Sequence, residues 1–349
     1  MELAFLVPGS LAQITGGYLY DRQVVDGLRA RGAAITLFEL AGHHPDADAR
    51  ARQAAAAALA GLPDGSLAVI DGLALPAFAD CLAHEARRLR IVGFIHHPLS
   101  LETGLSPDRA RHFAELETRL WPLLRGALCP SPHSAGALIA AGVDAGRVAV
   151  VMPGTPPAGP RPPDRAAGPL RLLAVGTLTP RKGHALLIEA LARLRSHDWQ
   201  LDCIGSQDRA PATVAALRAL IGRHQLDGRI TLHGELPPAH LAAAYRQADL
   251  FALPSWHEGY GMVFAEALAY GLPVVATTAG AIPHTVPADA AILVPPGDVE
   301  ALHDALHRLL TDSALRSRLA RAATAAGASL PDWPTAVTRW AAALQQVAA

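Results

Sequence analysis

Two glutamates separated by seven residues, Glu258 and Glu266, lie in the segment PSWHEGYGMVFAEALAYGLP at 254–273. Gly259, Tyr260 and Gly261 follow the first glutamate, and a helical pattern starts at Met262 and stops before Gly271. The order reads as a strand, a turn whose glycines let backbone amides approach a ligand, and a helix whose opening amides donate to a phosphate. Glu266, one turn inside, can accept hydrogen bonds from two ribose hydroxyls, while Glu258 on the turn faces a sugar ring. Capping a helix would explain either glutamate alone; it does not explain the pair with its glycines. A second segment, VGTLTPRKG at 175–183, carries Arg181 and Lys182, and Lys182 is the single lysine among 30 basic residues. A drifting exposed position in so arginine-rich a chain would have become arginine, so this lysine points to a need for a compact point charge. Near the N-terminus, the pair Gly16-Gly17 follows a first strand and precedes a helix running to Arg31 and Gly32. There it either allows close approach to phosphate or sugar or simply makes a tight turn. The run IVGFIHHPL ends a strand with His96 and His97, each a cap, a packing residue or a functional group.

The elements that must position these residues follow from the apolar pattern. Short apolar runs at 3–7, 35–40, 67–70, 91–95, 127–129 and 148–152 alternate with amphipathic helical segments, and the alternation restarts at 170–175, 201–204, 230–232, 250–253, 274–276 and 291–294. Between the two series lies PGTPPAGPRPPDRAAGP, too rich in proline and glycine for either element. The expected fold class is therefore α/β, with two Rossmann-like, doubly wound domains facing a cleft, and ligands at the carboxyl ends of the strands. The expected divisions are an N-terminal domain at 1–152, a Pro-rich linker at 153–169, a C-terminal domain at 170–330 and a C-terminal helix at 331–349. Trp333 and Trp340, seven apart on one face of that helix, are expected to pack as core or against the other domain.

Composition narrows the function classes. A chain of 349 residues with 51% hydrophobic and 17% charged residues can build two cores. Its net charge of −1, with neither half strongly basic, excludes a nucleic-acid platform and gives no indication of peripheral membrane contact. Three unclustered cysteines signal neither a disulfide framework nor a zinc knuckle. The start lacks a basic region before its short apolar run, so no secretion signal is expected, and prolines interrupt the longest uncharged stretches. The expected location is cytoplasmic. No Asp-x-Asp pair or His-x-x-His cluster suggests a metal, and no P-loop is present. Nothing in the pattern sets an oligomeric state.

The glutamate segment, framed by PSxxEGYG before and EAxAxGLPVVAT after, resembles the E-x7-E signature of retaining glycosyltransferase family 4, the glycosyl transferases group 1, whose members have the two-domain GT-B fold. The resemblance is most specific over 170–300 and loosest over 32–90. It implies a retaining hexosyltransferase that uses a nucleotide diphosphate sugar, UDP-linked rather than GDP-linked, as co-substrate, a hydroxyl acceptor, and no separate cofactor or metal. It implies an acceptor-binding N-terminal domain, a donor-binding C-terminal domain and a C-terminal helix crossing back to the first domain. Lys182 occupies the family's lysine position, where cations hold the donor diphosphate as the leaving group gains charge. The family's arginine is replaced by Thr177, and Arg181 either takes over its contact or points to solvent. The glycine-rich loop corresponds to Gly16 and Gly17, and a histidine near the anomeric carbon corresponds to His96, with His97 second. Ser206 and the turn at Leu236 correspond to backbone contacts with the nucleotide. Gly259, Tyr260, Gly261 and Met262 line the donor, Glu258 and His96 steady the sugar, and Glu266 holds the ribose. The implied mechanism is front-face displacement, in which the leaving diphosphate takes the acceptor's proton.

Overall fold

A computed structural model describes residues 1–159 and 168–349; the remaining eight, in the middle of the expected linker, lie outside the described residues. Every apolar run named above forms a strand. The first series gives β1 (Glu2–Pro8), β2 (Ala34–Leu40), β3 (Leu67–Asp71), β4 (Arg90–Phe94), β5 (Gly126–Cys129) and β6 (Val148–Val150). The second gives β7 (Leu170–Val175), β8 (Trp199–Ile204), β9 (Ile230–His233), β10 (Leu250–Leu253), β11 (Val274–Thr277) and β12 (Ala291–Val294). All pairings are parallel, in the orders β2-β1-β3-β4-β5-β6 and β12-β11-β10-β7-β8-β9. Helices cover both faces of such a sheet, which is why strands like LAVID and LFAL are apolar and buried throughout instead of alternating.

The chain divides into two compact units, one made of Met1–Gly154 with Pro331–Ala349, the other of Thr155–Leu330. The last segment earns its place in the first unit by packing. Its helix, Trp333–Ala348, is capped by Asp332, whose carboxylate accepts from the Thr335 amide at 2.8 Å. Trp340 is fully buried, with its ring 6.2 Å from that of Phe5 on β1 and 5.6 Å from that of Phe94 on β4. Glycines allow the close approach: a β-carbon on Gly27 would sit 2.7 Å from Val337, and one on Gly126 would sit 2.6 Å from Val347.

In each sheet the strand order reverses once, between β1 and β3 in the first unit and between β7 and β10 in the second. At such a reversal the two connecting helices leave to opposite faces and open a crevice at the strands' carboxyl ends. The loops after β7 and β10 are 176–183 and 254–261, the two segments singled out by their chemistry. No helix among the described residues is long and apolar enough to cross a membrane.

Candidate functional site

In the second unit, the loops after β7 and β10 lock together through their backbones. The Trp256 amide donates to the Arg181 carbonyl at 2.8 Å, and Gly183, at φ +71°, lies so close that a β-carbon there would fall 2.1 Å from the Pro254 carbonyl oxygen. This contact sets the two cations beside the first glutamate. Lys182 Nζ donates to Glu258 Oε1 at 2.7 Å, as does the Ser255 hydroxyl. Arg181 Nη1 donates to Glu258 Oε2 at 3.2 Å and to the His257 carbonyl at 2.7 Å. Arg181 therefore does not point to solvent. Glu258 is buried, with two cations and a hydroxyl satisfying its carboxylate. Burial works to raise its pKa, but Lys182 and Arg181 together bring it down to about 2. Gly280 closes the back of the loop: its φ is +56°, a β-carbon would lie 2.4 Å from the Glu258 carbonyl oxygen, and the next amide, of Ala281, donates to that oxygen at 2.8 Å.

Gly261, at φ +85°, begins the helix Met262–Ala269, and no side chain caps that end, so its first amides remain available to an anion. One turn along, Glu266 Oε2 accepts from the Tyr245 hydroxyl at 2.8 Å. Burial lifts the Glu266 pKa to about 7, against the opposing effect of that hydrogen bond. Tyr245 itself is held in place by stacking on Tyr270, at 5.2 Å between ring centroids. The Tyr260 hydroxyl is buried without a hydrogen-bond partner among the described residues, and burial raises it to about 12. Gly176, Gly205 and Gly234 each follow a strand, β7, β8 and β9, and stack edge to edge. A β-carbon on Gly205 would come 2.1 Å from the Gly176 carbonyl oxygen, and one on Gly176 would come 3.2 Å from the Lys182 stem. Ser206 and Leu236 sit along this same edge, where the Ser206 carbonyl accepts from the Leu178 amide at 3.0 Å.

In the first unit, the glycine pair is not a loop ahead of the helix. Thr15 is extended and the helix Gly16–Arg29 begins at the pair, so Gly16 and Gly17 form its first turn. Gly17 has a packing duty: a β-carbon there would lie 3.3 Å from the His96 ring. His96 Nε2 is 3.0 Å from Asp21 Oδ1 and 3.2 Å from Asp71 Oδ2. Both aspartates are buried. Burial would lower the His96 pKa, but Asp21 and Asp71 raise it to about 10. Burial lifts Asp21 to about 7 against the pull of His96, whereas Asp71 stays lowered: burial opposes ionisation there, and hydrogen bonding and charge from His96 favour it. The donor atoms of the three lie within 4.8 Å of one another, a span wide enough to consider a cation. His97 is engaged elsewhere, with Nε2 3.2 Å from Glu102 Oε2.

Sequence reasoning missed Asp21, Asp71, Ser255 and Tyr245. Two left a trace. Asp21 falls on the apolar stripe of Tyr18, Val25 and Leu28, and Asp71 ends a wholly apolar strand, both places where an acid must have a partner.

Residues 169–312 match the family model described as glycosyl transferases group 1. Among curated proteins, the chain is 36% identical over 202 residues to a D-inositol 3-phosphate glycosyltransferase of Xylanimonas cellulosilytica, covering 53% of this chain and 48% of that one. It is 35% identical over 154 residues to the putative colanic acid biosynthesis glycosyltransferase WcaL of Escherichia coli, covering 41% and 36%. The matched segments thus span about half or less of those relatives. Among solved structures, a sucrose-phosphate synthase from Thermosynechococcus elongatus superposes with a TM-score of 0.82 at 22% identity over 99% of this chain and 98% of that one. Anabaena HepE, solved with UDP and glucose, superposes at 0.76 and 21% identity, covering 99% of each. These likenesses establish the fold as GT-B.

Proposed function

With residues 169–312 matching the family model described as glycosyl transferases group 1, we propose that the chain is a cytosolic, retaining glycosyltransferase moving a hexosyl group from a UDP-sugar to a hydroxyl acceptor. One observation carries this reading: at the strand-order reversal of the second unit, two half-buried cations, an uncapped helix start and a raised carboxyl stand together. A nucleotide diphosphate sugar needs those three features in that sequence, for its diphosphate, its phosphate oxygens and its ribose. Lys182 and Arg181 neutralise the charge that grows on the diphosphate as the glycosidic bond breaks. A leaving-group oxygen takes the acceptor's proton, so no protein base is required. Glu258 steadies the sugar, and Glu266 holds the ribose. The UDP-bound neighbour supports the choice of nucleotide. The unpaired cysteines, their thiols pushed up by burial to about 11 at Cys81 and about 12 at Cys129 and Cys203, suit a reducing compartment. The test is incubation with UDP-hexoses and extracted metabolites, followed by mass and NMR analysis of the product. Transfer with the donor's anomeric configuration kept is the expected result, and inversion overturns the retaining assignment.

The raised Glu266 makes donor binding dependent on pH. Its carboxyl is half-protonated near pH 7 in the free chain and must be ionised to accept two ribose hydroxyls, so binding releases a proton. Affinity for UDP-glucose, which has no terminal phosphate to titrate, should rise roughly tenfold between pH 6 and pH 8 and then level off. Glu266→Gln should abolish the slope, and Tyr245→Phe, which removes the one contact favouring ionisation, should move the rise to higher pH. A flat calorimetric profile for the unaltered chain counts against the ribose assignment.

A further inference from the structure

The first unit holds a feature that donor chemistry in the second unit does not explain. Two buried carboxylates, brought together from a helix and a strand end fifty residues apart in sequence, converge on a single nitrogen of His96. The other polar atom of the ring, Nδ1, makes no hydrogen bond among the described residues, and the side chain is 17% exposed. The ring is fixed on its faces as well: Phe94 lies 4.5 Å away, Tyr20 lies 5.8 Å away, and Gly17 leaves room for Cδ2. Asp71 is anchored in turn by the Leu73 amide, which donates to Oδ1 at 2.6 Å. Asp21 Oδ2 has no hydrogen-bond partner among the described residues. Tyr20 and His44 are further titratable groups near this cluster; burial keeps His44 below its ordinary value, and it feels the charge of Asp71.

We propose that Asp21 and Asp71 are positioning residues that commit His96 to the imidazolium form, with Nε2–H held inward and Nδ1–H presented as a hydrogen-bond donor to a ligand oxygen at the carboxyl ends of the first unit's strands. This rests on the glycosyl-transfer reading for the identity of the ligand. A single carboxylate behind a histidine steadies a base that charges and discharges during reaction. Two carboxylates on one nitrogen hold the proton through the whole neutral range, so His96 donates and does not abstract. That suits a retaining displacement, in which the leaving group itself takes the acceptor's proton, and it withholds the base an inverting attack would need.

The charge state is read without any substrate. In the full chain labelled with 15N-histidine, two-bond proton–nitrogen spectra should show both His96 nitrogens protonated at pH 8, with the signal assigned by its loss in His96→Gln. Asp71→Asn and Asp21→Asn should each lower the titration midpoint by more than one pH unit. A neutral His96 at pH 7 in the unaltered chain overturns the proposal. With saturating UDP-hexose, kcat should be flat from pH 6.5 to 8.5 in the unaltered chain. In Asp71→Asn it should fall about tenfold above the lowered midpoint, with little change in donor KM. A loss of the same size at every pH marks a merely structural role and overturns it too. A cationic His96 in a chain that transfers no sugar leaves the charge assignment standing and overturns the glycosyl-transfer reading.

Discussion

Lys182→Ala binds UDP-glucose about a hundredfold more weakly than the unaltered chain, and its turnover of that donor falls about a thousandfold. The binding loss is that of one charge-assisted hydrogen bond to a diphosphate, about 1.5–3 kcal/mol. The additional loss in turnover arises because negative charge on the diphosphate increases as the bond to the sugar breaks, and a fixed cation is worth more there than in the ground state. Lys182 is suited to this. Its side chain is only 11% exposed, its stem lies over Gly176, and its ammonium is held by Glu258. Arginine at this position keeps the charge but needs a longer, planar head in a space shaped by Gly176, so Lys182→Arg should recover less than a tenth of the lost turnover. Calorimetry and donor turnover measure both variants. Donor affinity within threefold of the original in Lys182→Ala sinks the assignment.

Glu258→Ala should cost about 3 kcal/mol of stability at pH 7, because it removes the buried carboxylate that both Lys182 and Arg181 contact. For a unit of this size, that lowers the melting temperature by roughly 9 °C. The dependence on pH has a definite sign. The carboxyl sits at about 2 in the folded chain against an ordinary 4.5, so the folded state binds this proton less tightly than the unfolded state does. Its contribution is complete above pH 4.5 and drains away as pH falls towards 2. The gap in melting temperature between the unaltered chain and Glu258→Gln should therefore narrow below pH 4. The double variant Lys182→Ala with Glu258→Ala should lose less than the sum of the two single losses, since removing both partners strands fewer charges. Strict additivity would mean that the ion pair seen here contributes nothing.

The two predictions concern residues visible in the sequence, and the reason is local. Lys182 differs from every other basic residue in the chain, and Glu258 with Glu266 lies in one strand–turn–helix unit whose glycines and spacing can be read directly. What sits opposite them cannot be read that way. In a parallel sheet, neighbouring strand ends come from distant parts of the chain, so the contact between Lys182 and Glu258 joins residues 76 apart. Asp21 and Asp71 are harder still, since each belongs to an otherwise apolar surface and acquires meaning only from His96, on a third element. Tyr245 is the one buried residue of the helix Pro238–Gln247 and reads as ordinary core until Glu266 is placed above its hydroxyl.

Trp340 fills the space beside Phe5 and Phe94, yet it is made only after the whole of Thr155–Leu330. On the ribosome, the first unit therefore emerges first and is completed last. Until the closing helix arrives, its sheet exposes the apolar surface of β1 and β4, while the second unit, Thr155–Leu330, is already complete in sequence. The nascent chain is then a finished domain tethered to an unfinished one, and it is the earlier-made half that a trigger-type chaperone would have to shield.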